Sequence, residues 1–218
     1  MSAIIGFSEI IEQQLFGPVT EEYRTIAGNI LHDAQRLLSG FDDLSTAAKI
    51  ETGTYVTQVG STDCDWLSLR LEERLRELSD VLHVTLNLVH AHPVRPFALD
   101  NHLAERLFSR LLSAVIIGCE AGEILDGRFR TEPGLNAVNR FVLSLPKKLA
   151  DMDESELFGS GPLDDSHDAP LLGLGFSLRL VRSLARNVGG DLRFYNQALI
   201  VSLPAVNDGR TGLMDEER

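Results

Sequence analysis

Apolar residues recur along this chain at helical and strand spacings that divide it into two parts. Tyr23, Ile30, Leu37 and Leu44 stand seven residues apart, and Ala27, Ala34, Phe41 and Ala48 fill the intermediate positions. A seven-residue repeat that is apolar or small at both positions predicts one long helix with a coiled-coil seam. Thr20 is placed to cap it, and Glu21 and Glu22 fall where carboxylates meet the positive end of the helix dipole. Upstream, Ile4, Phe7, Ile11 and Leu15 share one face of a shorter helix over Met1 to Phe16, which Gly17-Pro18 breaks. Two helices joined this closely make an antiparallel hairpin. A hairpin cannot bury so long a seam alone, so two copies are expected to form a four-helix bundle. Its dimer interface would comprise Ile4, Ile11, Tyr23, Ala27, Ile30, Ala34, Leu37, Phe41 and Leu44. The other arrangement open to the long helix is packing on the remainder of its own chain.

Gly53 to Thr62 is polar and marks a boundary, giving a hairpin domain over 1–53. Trp66 to Leu82 has helical spacing, with Trp66, Leu69, Leu75, Leu78 and Leu82 apolar and Glu72, Glu73, Arg74 and Arg76 suited to solvent. Val84, Leu86 and Leu88 alternate with polar residues as in a half-buried strand. His90 and His92 follow in a region expected to be a solvated loop, with no third ligand nearby to complete a metal site. Asp100 to Ile117 is a further helix with Leu103, Leu107, Leu111, Leu112 and Val115 as its core stripe. Strands are expected over Gly127 to Thr131 and Val138 to Leu145. Gly173-Leu174-Gly175 then leads into a helix whose buried face is Leu178, Val181, Leu184, Ala185 and Val188, and Gly189-Gly190 ends it. Asp191 to Tyr195 and Leu199 to Leu203 complete a two-layer α/β sandwich over 54–205, so the fold class is α+β. The acidic stretch 206–218 is expected to be a disordered tail.

Composition narrows the functions open to such a chain. Of 218 residues, 44% are hydrophobic and 24% charged, the balance of an ordinary globular protein. A net charge of −12 argues against a nucleic-acid or anionic-membrane surface. No apolar run is long enough to span a bilayer and no signal peptide opens the chain. The two cysteines, Cys64 and Cys119, lack metal-ligand spacing, so a reduced cytoplasmic setting without metal is expected. The glycine-spaced stretch before the last helix suits a phosphate cradle, and equally a plain turn before a core helix.

The order of glycine stretch, helix, Gly-Gly, strand, turn and last strand ending Ser202-Leu203-Pro204 resembles the end of a histidine-kinase ATP-binding domain. The family's loop reads roughly G-x-G-x-G-L, where this chain has Gly173-Leu174-Gly175-Phe176-Ser177-Leu178, with Ser177 in place of the third glycine. SAIIGFSEIIEQQLFGP, EEYRTIAGNI and LLSGFDDLSTAAKIETG resemble the dimerisation and phosphotransfer hairpin of sensor histidine kinases. The resemblance therefore implies a Bergerat-type sandwich, as in Hsp90 and gyrase, after a dimeric hairpin. It also implies two-component signalling, with docking of a response regulator receiver domain or a partner kinase at exposed helix residues such as Ile5, Glu9 and Gln13.

Within the resemblance, the positions for nucleotide chemistry differ from the family. Arg110 and Ala114 stand where an N-L-L-S-N-A run has its asparagines, and Leu145 where a D-x-G-x-G loop has its adenine-binding aspartate. Alanine gives magnesium no oxygen, and leucine cannot accept a hydrogen bond from adenine. Of the family's elements, Gly173, Gly175, Ser177 and Leu178 keep the most likeness. The leading expectation is a dimeric scaffold or regulator with a degenerate ATP site, using no cofactor; ATP and magnesium apply only if the site works. In the family the phosphorylated histidine lies immediately before the stretch matching Met1 to Gly6. One alternative is accordingly part of an ATP-dependent kinase phosphorylating a histidine upstream of residue 1. The other is an ATP-independent phosphotransferase, for which His32, beside Asp33 and outside the heptad seam, is the candidate acceptor. An exposed polar pair is the ordinary reading of those two residues.

Overall fold

A computed structural model describes residues 2–57, 60–91, 93–134, 137–159 and 172–206. Helix α1, Ser2–Glu12, stops earlier than its apolar spacing predicts, because Gln14 at φ 56° and Gly17 at φ 129° turn the chain back before Pro18. Helix α2 runs over Glu21–Glu51 with Thr20 at its N-cap, although the Thr20 side chain makes no capping bond. The two helices pack as the expected hairpin, burying Ser8, Ala27 and Ala34 between small side chains.

Helix α3, Cys64–Leu82, begins at Asp63, whose carboxylate accepts from the amides of Asp65 and Trp66. Strand β1 covers Thr85–Ala91, and helix α4, Asn101–Ile116, is capped in the same way by Asp100. Strands β2, Ile124–Glu132, and β3, Val138–Ser144, are followed by the single turns α5, Lys147–Ala150, and α6, Glu154–Leu157. Helix α7, Gly173–Asn187, leads to strands β4, Asp191–Tyr195, and β5, Ala198–Pro204. The five strands form one sheet in the order β1-β2-β3-β5-β4. Only the β1–β2 pair is parallel; the other three pairings are antiparallel.

Alternation along the strands turns one face of this sheet to the helices. Leu125, Phe129, Phe141, Leu143, Leu192, Leu199, Val201 and Leu203 on that face are buried beneath α3, α4 and α7. At the centre, Phe108 of α4 meets Phe129 and Phe141 edge-on at 5.6 and 5.3 Å between ring centroids, and Phe97 at 5.5 Å. Offset and edge contacts of this kind add to the free energy of area burial. Gly127 is required beside them: a Cβ there would lie 2.6 Å from the Phe141 ring.

Two readings of the sequence are corrected here. The inner stripe of α3 is Leu67, Leu71 and Leu75, and Leu69 is 66% exposed. Leucines lie on both sides of this helix, so the choice of inner face was left to tertiary packing. His90 lies within β1 instead of a solvated loop, and His92 falls outside the described residues. Asp164, Asp165 and Asp168, acidic residues in the stretch that the resemblance would make a nucleotide lid, and the stretch 207–218 also fall outside them.

Truncating Phe141 to alanine removes the ring shared by Phe108 and Phe129. The expected loss is about 3–5 kcal/mol of unfolding free energy, read from urea denaturation.

Candidate functional site

Helix α4 is the centre of the site. Its buried stripe, including Leu103, Leu107, Leu111 and Val115, lies on the sheet, so the helical period turns Arg106 and Arg110, one turn apart, towards α2. Arg110 donates from Nη2 to the Asp43 carboxylate and, at 3.3 Å, to Ser39 Oγ. Arg106 donates to Thr46 Oγ1 at 2.5 Å and to the Asp42 carbonyl at 3.3 Å. The Asp43 side chain is 5% exposed and that of Arg110 22%. Burial pushes the Asp43 carboxyl above its usual range while Arg110 and Arg106 draw it back. Burial likewise lowers Arg110, against the attraction of Asp43. In both groups desolvation outweighs attraction, as in many buried ion pairs. Ala114 is buried and presents only a methyl group.

Leu145 packs half-buried against the core where β3 ends, and its amide donates to the Gln197 carbonyl at 3.0 Å. Past Pro146 the chain winds into α5, which drives Leu149 fully into the core against Gly118. Asp153 and Glu156 close a reciprocal capping box on α6. The end of α6 then abuts α7. Gly173, at φ 76°, opens that helix, Gly175 lies in its first turn, and Ser177 and Leu178 are buried in its next. A Cβ on Gly175 would stand 1.8 Å from the Gly159 carbonyl oxygen. Arg179 donates to the carbonyls of Phe158 and, at 3.0 Å, Gly159. Arg182 lies 3.8 Å over the Phe158 ring and pairs with Glu154 at 2.5 Å. The glycine stretch is therefore helical backbone held against a neighbouring turn.

On the flank of α4 nearest α3, a cleft of about 620 Å³ opens between the hairpin and the sheet domain. Ser39 and Asp42 of α2, Arg74 and Leu78 of α3, and Arg106 and Ser109 of α4 are among its lining. Arg74 and Glu105 pair across its rim at 3.1 Å.

A second polar cluster went unrecognised in the sequence. Ser68 Oγ lies 2.7 Å from His90 Nε2, and His90 Nδ1 lies 2.5 Å from Asp65 Oδ1. The order matches a nucleophile relay, but Ser68 is buried in a helix interior whose amides are committed to helical bonds. The cluster ties α3 to β1.

The heptad residues Tyr23, Ile30, Leu37, Phe41 and Leu44, with Ile4 and Ile11, are exposed on the single chain, whereas Ala27 and Ala34 are buried. Below them α2 packs on the sheet domain of the same chain through Asp43, Thr46, Ala47 and Ile50, the second of the two arrangements its pattern allowed. Ile5 and Glu9 are half-buried; Gln13, His32 and Asp33 are exposed. Burial pushes both the Cys64 and Cys119 thiols up to about 12. No group of three His, Cys, Asp or Glu side chains suited to a metal ion occurs among the described residues, and no helix there is long and apolar enough to cross a membrane. Asp43, Thr46 and Arg106 were missed because their chemistry depends on the approach of two distant helices. The available signal was two adjacent acids on α2 and two arginines four residues apart on α4.

Gly175→Ala forces apart two backbones, with an expected cost on the order of 1–3 kcal/mol. Gly6→Ala, whose Cβ would meet nothing within 4 Å, is the control and is expected to be neutral or mildly stabilising in the same urea titrations.

No family model matches the chain. The histidine protein kinase DivJ of Caulobacter vibrioides is 26% identical over 195 residues, covering 88% of this chain and 32% of DivJ. The chain thus spans about a third of that relative. Among solved structures, the Acinetobacter baumannii histidine kinase AdeS matches with a TM-score of 0.62 at 17% identity, over 94% of this chain and 95% of that one. Full-length ShkA, solved in complex with AMPPNP, matches with a TM-score of 0.66 at 15% identity, over 93% of this chain and 42% of ShkA. The structural likenesses show a fold shared with these histidine kinases, a helical hairpin followed by an α/β sandwich, and the DivJ likeness runs along most of the same span.

Proposed function

We propose that this chain acts in two-component signalling as a dimeric, non-catalytic module that docks a response regulator receiver domain or a partner kinase. One observation carries the reading. Arg110, at the position matching the family's first asparagine, is engaged by the buried Asp43 of the hairpin. Its charge would oppose magnesium at that place. Ala114 supplies no oxygen ligand and Leu145 no acceptor for an adenine amino group, so these three residues do not fit a magnesium nucleotide. In this reading 1–53 is the dimerisation hairpin, 54–205 the degenerate ATP-binding domain and 206–218 a tail. The hairpin pairs through its exposed heptad residues, and Ile5, Glu9 and Gln13 contribute to partner docking.

Kinship with DivJ and the AMPPNP complex of ShkA support the competing reading, in which the site still uses ATP. Calorimetry separates the two. Titration with millimolar ATP or ADP, with and without magnesium, is expected to release no binding heat. Micromolar, magnesium-dependent binding would instead favour an ATP-using kinase.

Dimerisation is tested separately by sedimentation. Replacing both Leu37 and Phe41 with glutamate places charge in the seam and is expected to raise the dimer dissociation constant by at least about tenfold. An unchanged constant removes the bundle from the proposal.

A further inference from the structure

We infer that the outer face of α4 is a docking surface for the chain's own α2, and that the Arg110–Asp43 pair sets the sheet domain in one orientation on the hairpin. The two faces match in period as well as in chemistry. Arg106 and Arg110 are four residues apart on α4, and Ser39, Asp43 and Thr46 follow at four- and three-residue steps on α2, with the Asp42 carbonyl between them. Such spacing lines each set along one side of its helix.

Directional bonds matter here because an apolar contact alone tolerates sliding. Ala47 and Ile50 of α2 pack against the core through side chains that carry no directional bond. A guanidinium bonded to a carboxylate, beside a second one bonded to a hydroxyl and a backbone carbonyl, admits far fewer relative positions. Slipping α2 by one turn would leave Asp43 and Arg110 without each other, each already disfavoured in its charged form by burial. The pair therefore discriminates between orientations even where it adds little net stability. The cleft beside it is the space enclosed by this fixed approach of α2 to α3 and α4.

The inference concerns geometry and does not depend on whether nucleotide binds. Spin labels are placed at Glu22 on the hairpin and at exposed Ile124 on the sheet, after substitution by cysteine in a Cys119→Ala background. Labelled chains are diluted into unlabelled ones so that only distances within a chain are read. The unaltered contact is expected to give one narrow distance distribution. Asp43→Ala and Arg110→Ala should each broaden it at least about twofold, and the exchange of Asp43→Arg with Arg110→Asp should narrow it again. Circular dichroism establishes that each variant is folded, and Asp43→Asn replaces any that is not. A broad distribution with the contact intact, or a narrow one in both single variants, would overturn the inference. Calorimetry with ATP on the same samples reports independently on the proposed loss of nucleotide binding.

Discussion

The placement of α4 on the sheet constrains everything around it. Phe108 anchors the helix among Phe97, Phe129 and Phe141, and the leucine stripe beside it leaves no freedom to rotate. Once that face is committed to the core, the helical period alone directs Arg106 and Arg110 outward. A hairpin arriving over α4 must then answer two guanidinium groups with acceptors, and α2 does so with Asp43, Thr46, Ser39 and the Asp42 carbonyl. The hydrophobic effect supplies the driving force, and the polar groups it displaces supply the geometry.

The same separation of roles recurs at α7. Leu178, Val181 and Leu184 hold that helix in the core. Arg179 and Arg182 on its other side catch the end of α6 through two carbonyls, an aromatic ring and Glu154. Gly175 permits that approach by having no side chain. Glycines that resemble a phosphate loop thus also satisfy a packing requirement in which a carbonyl oxygen is the close neighbour.

Much of the architecture was legible because local rules and burial agreed. The helix expected from Asp100 formed one residue later with Asp100 as its cap, and the seven-residue repeat produced a helix of 31 residues. Strands β3 and β5 likewise formed where they were expected, each burying alternate residues. Legibility failed where two solutions were locally equivalent. Leu69 and Leu67 are equally good core residues by composition, and only the packed layer distinguishes them. His90 followed a strand pattern that ran further than expected, and its partners Ser68 and Asp65 lie on another element. The candidate site divided in the same way. Arg110 and Ala114 could be placed on their helix from the sequence, but Asp43 is 67 residues away from Arg110 and becomes its partner only through the approach of the hairpin.

The length of α2 gives that contact a mechanical meaning. Between Asp43 and the start of the helix at Glu21 lie about 33 Å of rigid rod at 1.5 Å per residue. Asp43 therefore acts near a fulcrum, with the α1–α2 turn at the far end of the arm. A tilt of about 10° at the fulcrum would carry that end roughly 6 Å, about one helical turn. Ångström-scale changes where two side chains meet are amplified into displacements large enough to rearrange whatever rests on the tip.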